Sequence, residues 1–143
     1  MNASKSTDHG IALLRVALGT MSLSHGLLKF FVFTLAGTAG FFESLGLPGA
    51  LAYVVAPAEV LAGLALLVGF RTRIVSLALI PVLAGAAWAH AGNGWVFSAP
   101  NGGWEFPVYL VVLAVVQALL GSGAWAVDNL RGSPRPALAT AAS

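Results

Sequence analysis

The sequence predicts an all-α integral membrane protein: a four-helix bundle of antiparallel up-down topology with both termini in the cytoplasm. Three observations lead there. The chain of 143 residues is 58% hydrophobic and only 8% charged, where a soluble domain carries about 25% charged residues. A folded domain this short has too little interior to hide that much apolar surface, so lipid must cover the remainder. Its apolar residues gather into four long stretches, and all but one of its lysines and arginines fall on one side of the resulting membrane topology.

A membrane-crossing helix needs about 20 mostly apolar residues. Four segments meet this: Gly10–Phe33, Pro48–Phe70, Thr72–Ala91 and Phe106–Trp125. They define a domain over residues 10–126, preceded by a polar N-terminal tail (1–9) and followed by a tail (127–143) read as disordered from its Pro, Ala and Ser content. The first stretch is read as a span and not as a secretory signal. Its apolar run continues to Leu35 and contains Arg15, His25 and Lys29, whereas a signal core is uncharged and 7–15 residues long.

Gly69-Phe70-Arg71-Thr72-Arg73 joins the second and third spans. So short a link makes them antiparallel, with Gly69 suited to a left-handed helix end and Thr72 to capping the next start. Pro48 and Pro107 fit first helical turns. Pro57 and Pro81 lie inside spans and predict kinks, because each removes a backbone donor. Lys5, Arg15, Arg71, Arg73, Arg131 and Arg135 mark the cytoplasmic side, and Lys29 alone lies toward the other. The outer face then carries two loops, Thr34–Leu47 and Gly92–Glu105, and most of the interfacial tryptophan and tyrosine.

In the first span Arg15, Gly19, Ser22, Gly26 and Lys29 recur at helical spacing and form one stripe, with His25 at its edge. Ala52, Ala56, Glu59 and Gly63 form a second stripe on the next helix. Small residues let backbones approach closely, so the stripes are expected to meet. Counted at ~1.5 Å per residue, Glu59 then lies near the level of His25, with Lys29 about one turn further out. His90 ends the third span on the same side, and Glu105 opens the fourth after Gly102-Gly103-Trp104.

The candidate ligand-binding residues are therefore His25, Lys29, Glu59, His90, Trp104 and Glu105. An ionisable group at the bilayer centre costs about 2.5–3.5 kcal/mol on insertion scales, so a chain that keeps such groups pairs, hydrates or uses them. Lys29 and Glu59 also admit a bland role, a structural ion pair that fixes helix register. Glu105 equally suits the positive end of a helix dipole. Gln117 reads as interhelical glue, and Arg15 as a side chain reaching back to lipid phosphates.

The chain has no cysteine, which excludes disulfides, thiol catalysis and Fe–S ligation. Three dispersed histidines do not make a metal site, so none is assigned. No basic run points to nucleic acid. Catalytic residues cannot be named from the sequence.

Taken in order, Arg15-Val-Ala-Leu-Gly19, His25-Gly26-Leu-Leu-Lys29, Gly46-Leu-Pro48, Glu59-Val-Leu-Ala-Gly63 running on to Gly69-Phe-Arg71-Thr72-Arg73, and His90 followed by Gly102-Gly103-Trp104-Glu105-Phe106-Pro107 resemble the DoxX family of small bacterial membrane proteins. The resemblance runs from about Leu14 to Gly121. It implies a four-helix protein of the bacterial inner membrane, associated with redox work. One branch looks like a subunit of a thiosulfate:quinone oxidoreductase, and another like the membrane partner of a superoxide dismutase and a sulfurtransferase.

On this reading the chain is the membrane subunit of a quinone-associated or oxidative-stress complex. A quinone would sit among the candidate residues. His25 or Lys29 would donate to its carbonyl, and Glu59 would accept or relay a proton. With no redox centre of its own, the chain would depend on redox partner proteins. Two alternatives stand beside it: a scaffold without chemistry that docks partners through Arg71 and Arg73, and a small transporter or channel. The last needs a homo-oligomer, since four helices leave little room for a pore.

Overall fold

A computed structural model describes residues 3–130. Among them every regular element is helical: α1 (Ala3–Phe31), α2 (Leu35–Ser44), α3 (Ala52–Val68), α4 (Thr72–Ala89), α5 (Glu105–Leu120) and α6 (Val127–Leu130), with single 3₁₀ turns at Gly49–Leu51 and Ala91–Asn93. Three segments are long and apolar enough to cross a membrane: Ser4–Phe31, Gly49–Val68 and Thr72–Ala89. The fourth expected span is apolar but has only 16 residues, Glu105–Leu120. It stops short of Trp125 because Gly121 leaves the helical region, with φ 90°.

Three further differences from the sequence reading have local causes. Residues 34–47, expected as a loop, contain α2. The Thr34 hydroxyl caps its start by accepting from the Gly37 amide at 3.1 Å. Residues 3–9, expected as part of a polar tail, are the first turns of α1, held where the Ala124 amide donates to the Asp8 carbonyl at 3.0 Å. Residues 127–130 form α6 instead of starting a tail, and residues 131–143 lie outside the described part.

The two small-residue stripes do pack together. α1 lies chiefly on α3, and α4 chiefly on α5, while α3–α4 and α1–α5 contacts join the two pairs. At the α1–α3 crossing the backbones nearly touch. A methyl group on Gly63 would come within 2.5 Å of the Leu23 amide nitrogen and 2.8 Å of the Gly19 carbonyl oxygen. Glycine is thus required there by space alone. Leu18, Leu66, Leu79, Leu83, Leu110 and Ala114 make the apolar core between the pairs. Both α3 and α4 continue through Pro57 and Pro81.

One end of the molecule is fastened by side chains that satisfy helix termini. Gly69 ends α3 in the left-handed region (φ 71°), as expected. Thr72 does not cap α4. The carboxylate of Asp128 does, accepting from the amides of Arg71 at 2.7 Å and Thr72 at 3.0 Å, and Ser122 Oγ donates to it at 2.7 Å. Arg15 is buried, at 1% exposure, and does not reach lipid. Its guanidinium donates to the carbonyls of Leu66 (2.6 Å), Leu67 (2.9 Å), Ser122 (2.9 Å) and Ala124 (3.0 Å). Those include last-turn carbonyls of α3, which have no partner within the helix. Arg73 does the same for α5, donating to Ala118 and Leu119 at 2.9 and 2.8 Å.

Candidate functional site

Away from that fastened end the two helix pairs separate around a cavity of about 1190 Å³. Its floor is apolar, made by Leu18, Leu79, Leu83 and Leu110. Its rim is aromatic, with Phe33, Phe41, Phe97 and Phe106. Between floor and rim lies a polar band: Ser22, His25 and Lys29 from α1, Glu59 from α3, Thr38 from α2 and His90 at the end of α4. The size exceeds what a drug-sized ligand needs, about 300–1,000 Å³, and the mostly apolar wall with few polar groups is typical of a small-molecule site.

The polar band is ordered by identifiable bonds. Lys29 Nζ meets Glu59 Oε2 at 2.6 Å, with the two side chains 18% and 8% exposed. Lys29 also donates to the His25 carbonyl at 3.4 Å. Ser22 Oγ donates to the Glu59 carbonyl at 3.1 Å, pinning α1 to α3 beneath the ion pair. His25 Nδ1 lies 2.9 Å from the Met21 carbonyl oxygen. A carbonyl only accepts, so Nδ1 carries the proton and the neutral ring leaves Nε2 as an acceptor. The ring also lies against Phe106, centroids 6.3 Å apart.

His90 repeats this arrangement. Its Nδ1 is 3.0 and 3.2 Å from the carbonyl oxygens of Asn101 and Gly102. Asn93 Nδ2 donates to the same two carbonyls at 3.1 and 2.9 Å. This draws the 91–104 segment back over the end of α4. Asn93 Nδ2 lies 3.4 Å from His90 Nδ1, but the two carbonyls are closer, so the tautomer that suits them best has Nδ1 protonated and Nε2 as acceptor. Two imidazole nitrogens and the second carboxylate oxygen of Glu59 are therefore acceptors with spare capacity, and the Lys29 ammonium, which has three N–H donors and contacts only Glu59 and the His25 carbonyl, keeps one donor over.

Of the six residues singled out from the sequence, four line this cavity: His25, Lys29, Glu59 and His90. Glu105 does not. It lies at the first turn of α5 on a separate groove of about 310 Å³ with Trp95, Phe106 and Tyr109. Trp104 lines neither space. Its ring meets Trp95 edge-on with centroids 4.4 Å apart, and its amide donates to the Gly94 carbonyl at 3.1 Å. The sequence groups the two with the histidines by depth, at the outer ends of the spans, but the turn into α5 points them to another face. Sequence reasoning missed α2, which contributes Thr38, Phe41 and Phe42 to the wall. A Thr before a ten-residue apolar run was the available signal.

Gln117 likewise does not bond across helices. Its Nε2 donates to Gly121 of its own strand of chain at 2.6 Å.

Comparison with known proteins adds to this geometry. The chain is 38% identical over 125 residues to a Bacillus subtilis (strain 168) protein named "Putative oxidoreductase CatD", an alignment spanning 87% of this chain and 88% of the relative. No solved structure matches the chain. The DoxX family model matches residues 10–92, which carry α1 to α4, the Lys29–Glu59 pair and both cavity histidines. This chain belongs to the DoxX family of membrane proteins.

Proposed function

We propose that this protein is the membrane subunit of a redox-linked complex in the bacterial inner membrane, and that its cavity binds a lipid-phase ring bearing hydroxyl groups, a quinol. The observation that carries this reading is the state of the two histidines. Each has Nδ1 tied to a backbone carbonyl, so each turns an acceptor nitrogen to the remaining space. A hydroxyl donates to such an atom. A quinone carbonyl cannot donate to it, and Lys29, the cationic donor of the band, offers a carbonyl only the N–H that Glu59 and the His25 carbonyl leave over. This reading reverses the polarity expected for His25 and leaves Lys29 as the donor of the sequence expectation. The relative's printed name, an oxidoreductase, supports the redox setting.

The chain's own residues then have separable tasks. The leucine floor and phenylalanine rim exclude water and orient an apolar ring. His25 and His90 accept from its hydroxyls, and either imidazole can take a proton as charge leaves the ring. Glu59, through its free oxygen, can pass that proton on. Oxidation of a quinol releases two electrons and two protons. A chain without cysteine offers no thiolate centre for the electrons, so they go to a partner protein.

In this reading α1, α3, α4 and α5 span the bilayer and the fastened end faces the cytoplasm, since Lys5, Arg71 and Arg73 lie there. α5 rises about 24 Å, against a hydrocarbon thickness of about 30 Å, and the Trp95–Trp104 segment covers the difference at the outer interface. A structural reading also has support, because the 2.6 Å Lys29–Glu59 contact would by itself fix the register of α1 on α3. The two are separated by anaerobic binding of a short-chain quinol and its quinone to protein in lipid nanodiscs. Preference for the quinol of about tenfold, lost in His25→Phe, is expected from one neutral hydrogen bond of about 1–1.5 kcal/mol. Equal binding of both forms, or of neither, would leave only the structural role.

A further inference from the structure

Below the leucine floor lies a second polar group that the cavity does not use. Thr72, Ser76 and Gln117 are each fully buried, at 0% exposure. Ser76 Oγ and Gln117 Oε1 have no hydrogen-bond partner among the described residues, and the Thr72 hydroxyl has only the Asp128 carboxylate beside it. The three belong together. Thr72 and Ser76 are one turn apart on α4, and Arg73, between them, bonds to the carbonyl of Ala118, the neighbour of Gln117 on α5. Leaving a buried oxygen unpaired is costly, and native proteins rarely do it twice at one level of a helix pair.

We propose that these three side chains form an internal water-binding site between α4 and α5. The required ligand must donate to Gln117 Oε1, which only accepts, and must both donate to and accept from the two hydroxyls. Water does all of this. A cation does not fit. Arg15 already brings a buried positive charge to this end, bonding to Ser122 beside the Gly121 carbonyl that Gln117 holds. The nearby acid, Asp128, is taken up by the Ser122 hydroxyl, by the amides of Arg71 and Thr72 and by the Thr72 side chain.

The position gives the site a consequence. It begins beside Asp128, whose carboxylate the Thr72 side chain adjoins, and it ends at Ser76, one helical turn before Leu79 of the cavity floor. Bound water there brings exchangeable protons from the fastened end to within one leucine layer of the cavity. The inference rests on the orphaned oxygens alone and holds whatever the cavity binds.

Gln117 is the sole glutamine of the chain, so labelling glutamine with ¹⁵N yields one side-chain amide signal. In protein held in lipid nanodiscs, water-to-protein magnetisation transfer to that amide is expected. Ser76→Ala should weaken the transfer and lower the folded-to-unfolded ratio about fivefold, the effect of roughly one lost hydrogen bond. In a dry site the same substitution removes an orphaned hydroxyl and leaves stability unchanged or raised. No transfer in the parent protein, or a Ser76→Ala variant as stable as the parent, overturns the proposal.

Discussion

Removing one member of the Lys29–Glu59 pair should be far more damaging than removing both. In Lys29→Met the Glu59 carboxylate keeps its burial, 8% exposed, and loses its sole ion-pair partner among the described residues. An uncompensated buried charge costs about 3–5 kcal/mol. In Glu59→Gln the ammonium is left, but it is 18% exposed toward the cavity and still within reach of the His25 carbonyl at 3.4 Å. Partial hydration and that bond reduce the expected loss to about 2 kcal/mol. Lys29→Met/Glu59→Gln removes both charges from the low-dielectric band and should fall within about 1 kcal/mol of the parent. The singles then sum to about 5–7 kcal/mol, and the double variant recovers about 4 kcal/mol or more as coupling. Reversible unfolding in mixed micelles by a denaturing detergent, followed by helical circular dichroism, gives each value. Strictly additive singles would mean that the two side chains do not interact across α1 and α3, and the account of the polar band would fail with them.

Other perturbations test the frame around that band. Gly63→Ala places a methyl 2.5 Å from the Leu23 nitrogen and should destabilise by about 1–3 kcal/mol, while Gly85→Ala, with nothing within 4 Å, should change stability by less than about 0.5 kcal/mol in the same unfolding assay. Arg15→Lys keeps the charge but cannot serve four carbonyls from a planar fork, and a loss of about 3 kcal/mol or more is expected in unfolding midpoints. Asp128→Asn should cost about 1–2 kcal/mol at neutral pH, as loss of a helix N-cap does. Burial alone would raise the Asp128 carboxyl, but hydrogen bonds from Ser122, from the Thr72 and Arg71 amides and from the Thr72 side chain outweigh it and hold it below the usual carboxylate value. Its stabilisation is therefore complete above the unfolded pKa of about 4 and lost as pH falls through the lower folded value. Unfolding of parent and Asp128→Asn from pH 7 to pH 3 should show the gap between them closing only at the acid end.

The legible part of this protein was its periodicity. Arg15, Gly19, Ser22, Gly26 and Lys29 fall on one face by spacing alone, and so do Ala52, Ala56, Glu59 and Gly63. The structure packs those faces together, with Gly19 against Gly63 and Lys29 against Glu59. Residues whose role depends on a distant stretch of chain were not legible. Arg15 looked like a snorkelling cation, since nothing local shows that residues 122–124 fold back to meet it. The Asp128 cap on α4 spans 56 residues of sequence and has no local signature. Trp104 and Glu105 share the depth of the histidine cluster, and depth says nothing about which side of α5 they face.

Composition and hydrophobic spacing, then, determined the solvent of this chain, its helical class and which side chains turn inward, because lipid penalises open backbone and stray charge regardless of what lies nearby. Three-dimensional packing decided the rest: that the inward groups border a cavity, that both imidazoles turn Nδ1 to backbone carbonyls, and that Ser76 Oγ and Gln117 Oε1 below the floor lack partners among the described residues. Those depend on distances of about 3 Å between residues far apart in sequence, and a hydrogen bond is lost within an ångström. Helical periodicity fixes a direction around an axis. Only the packed helices fix a distance.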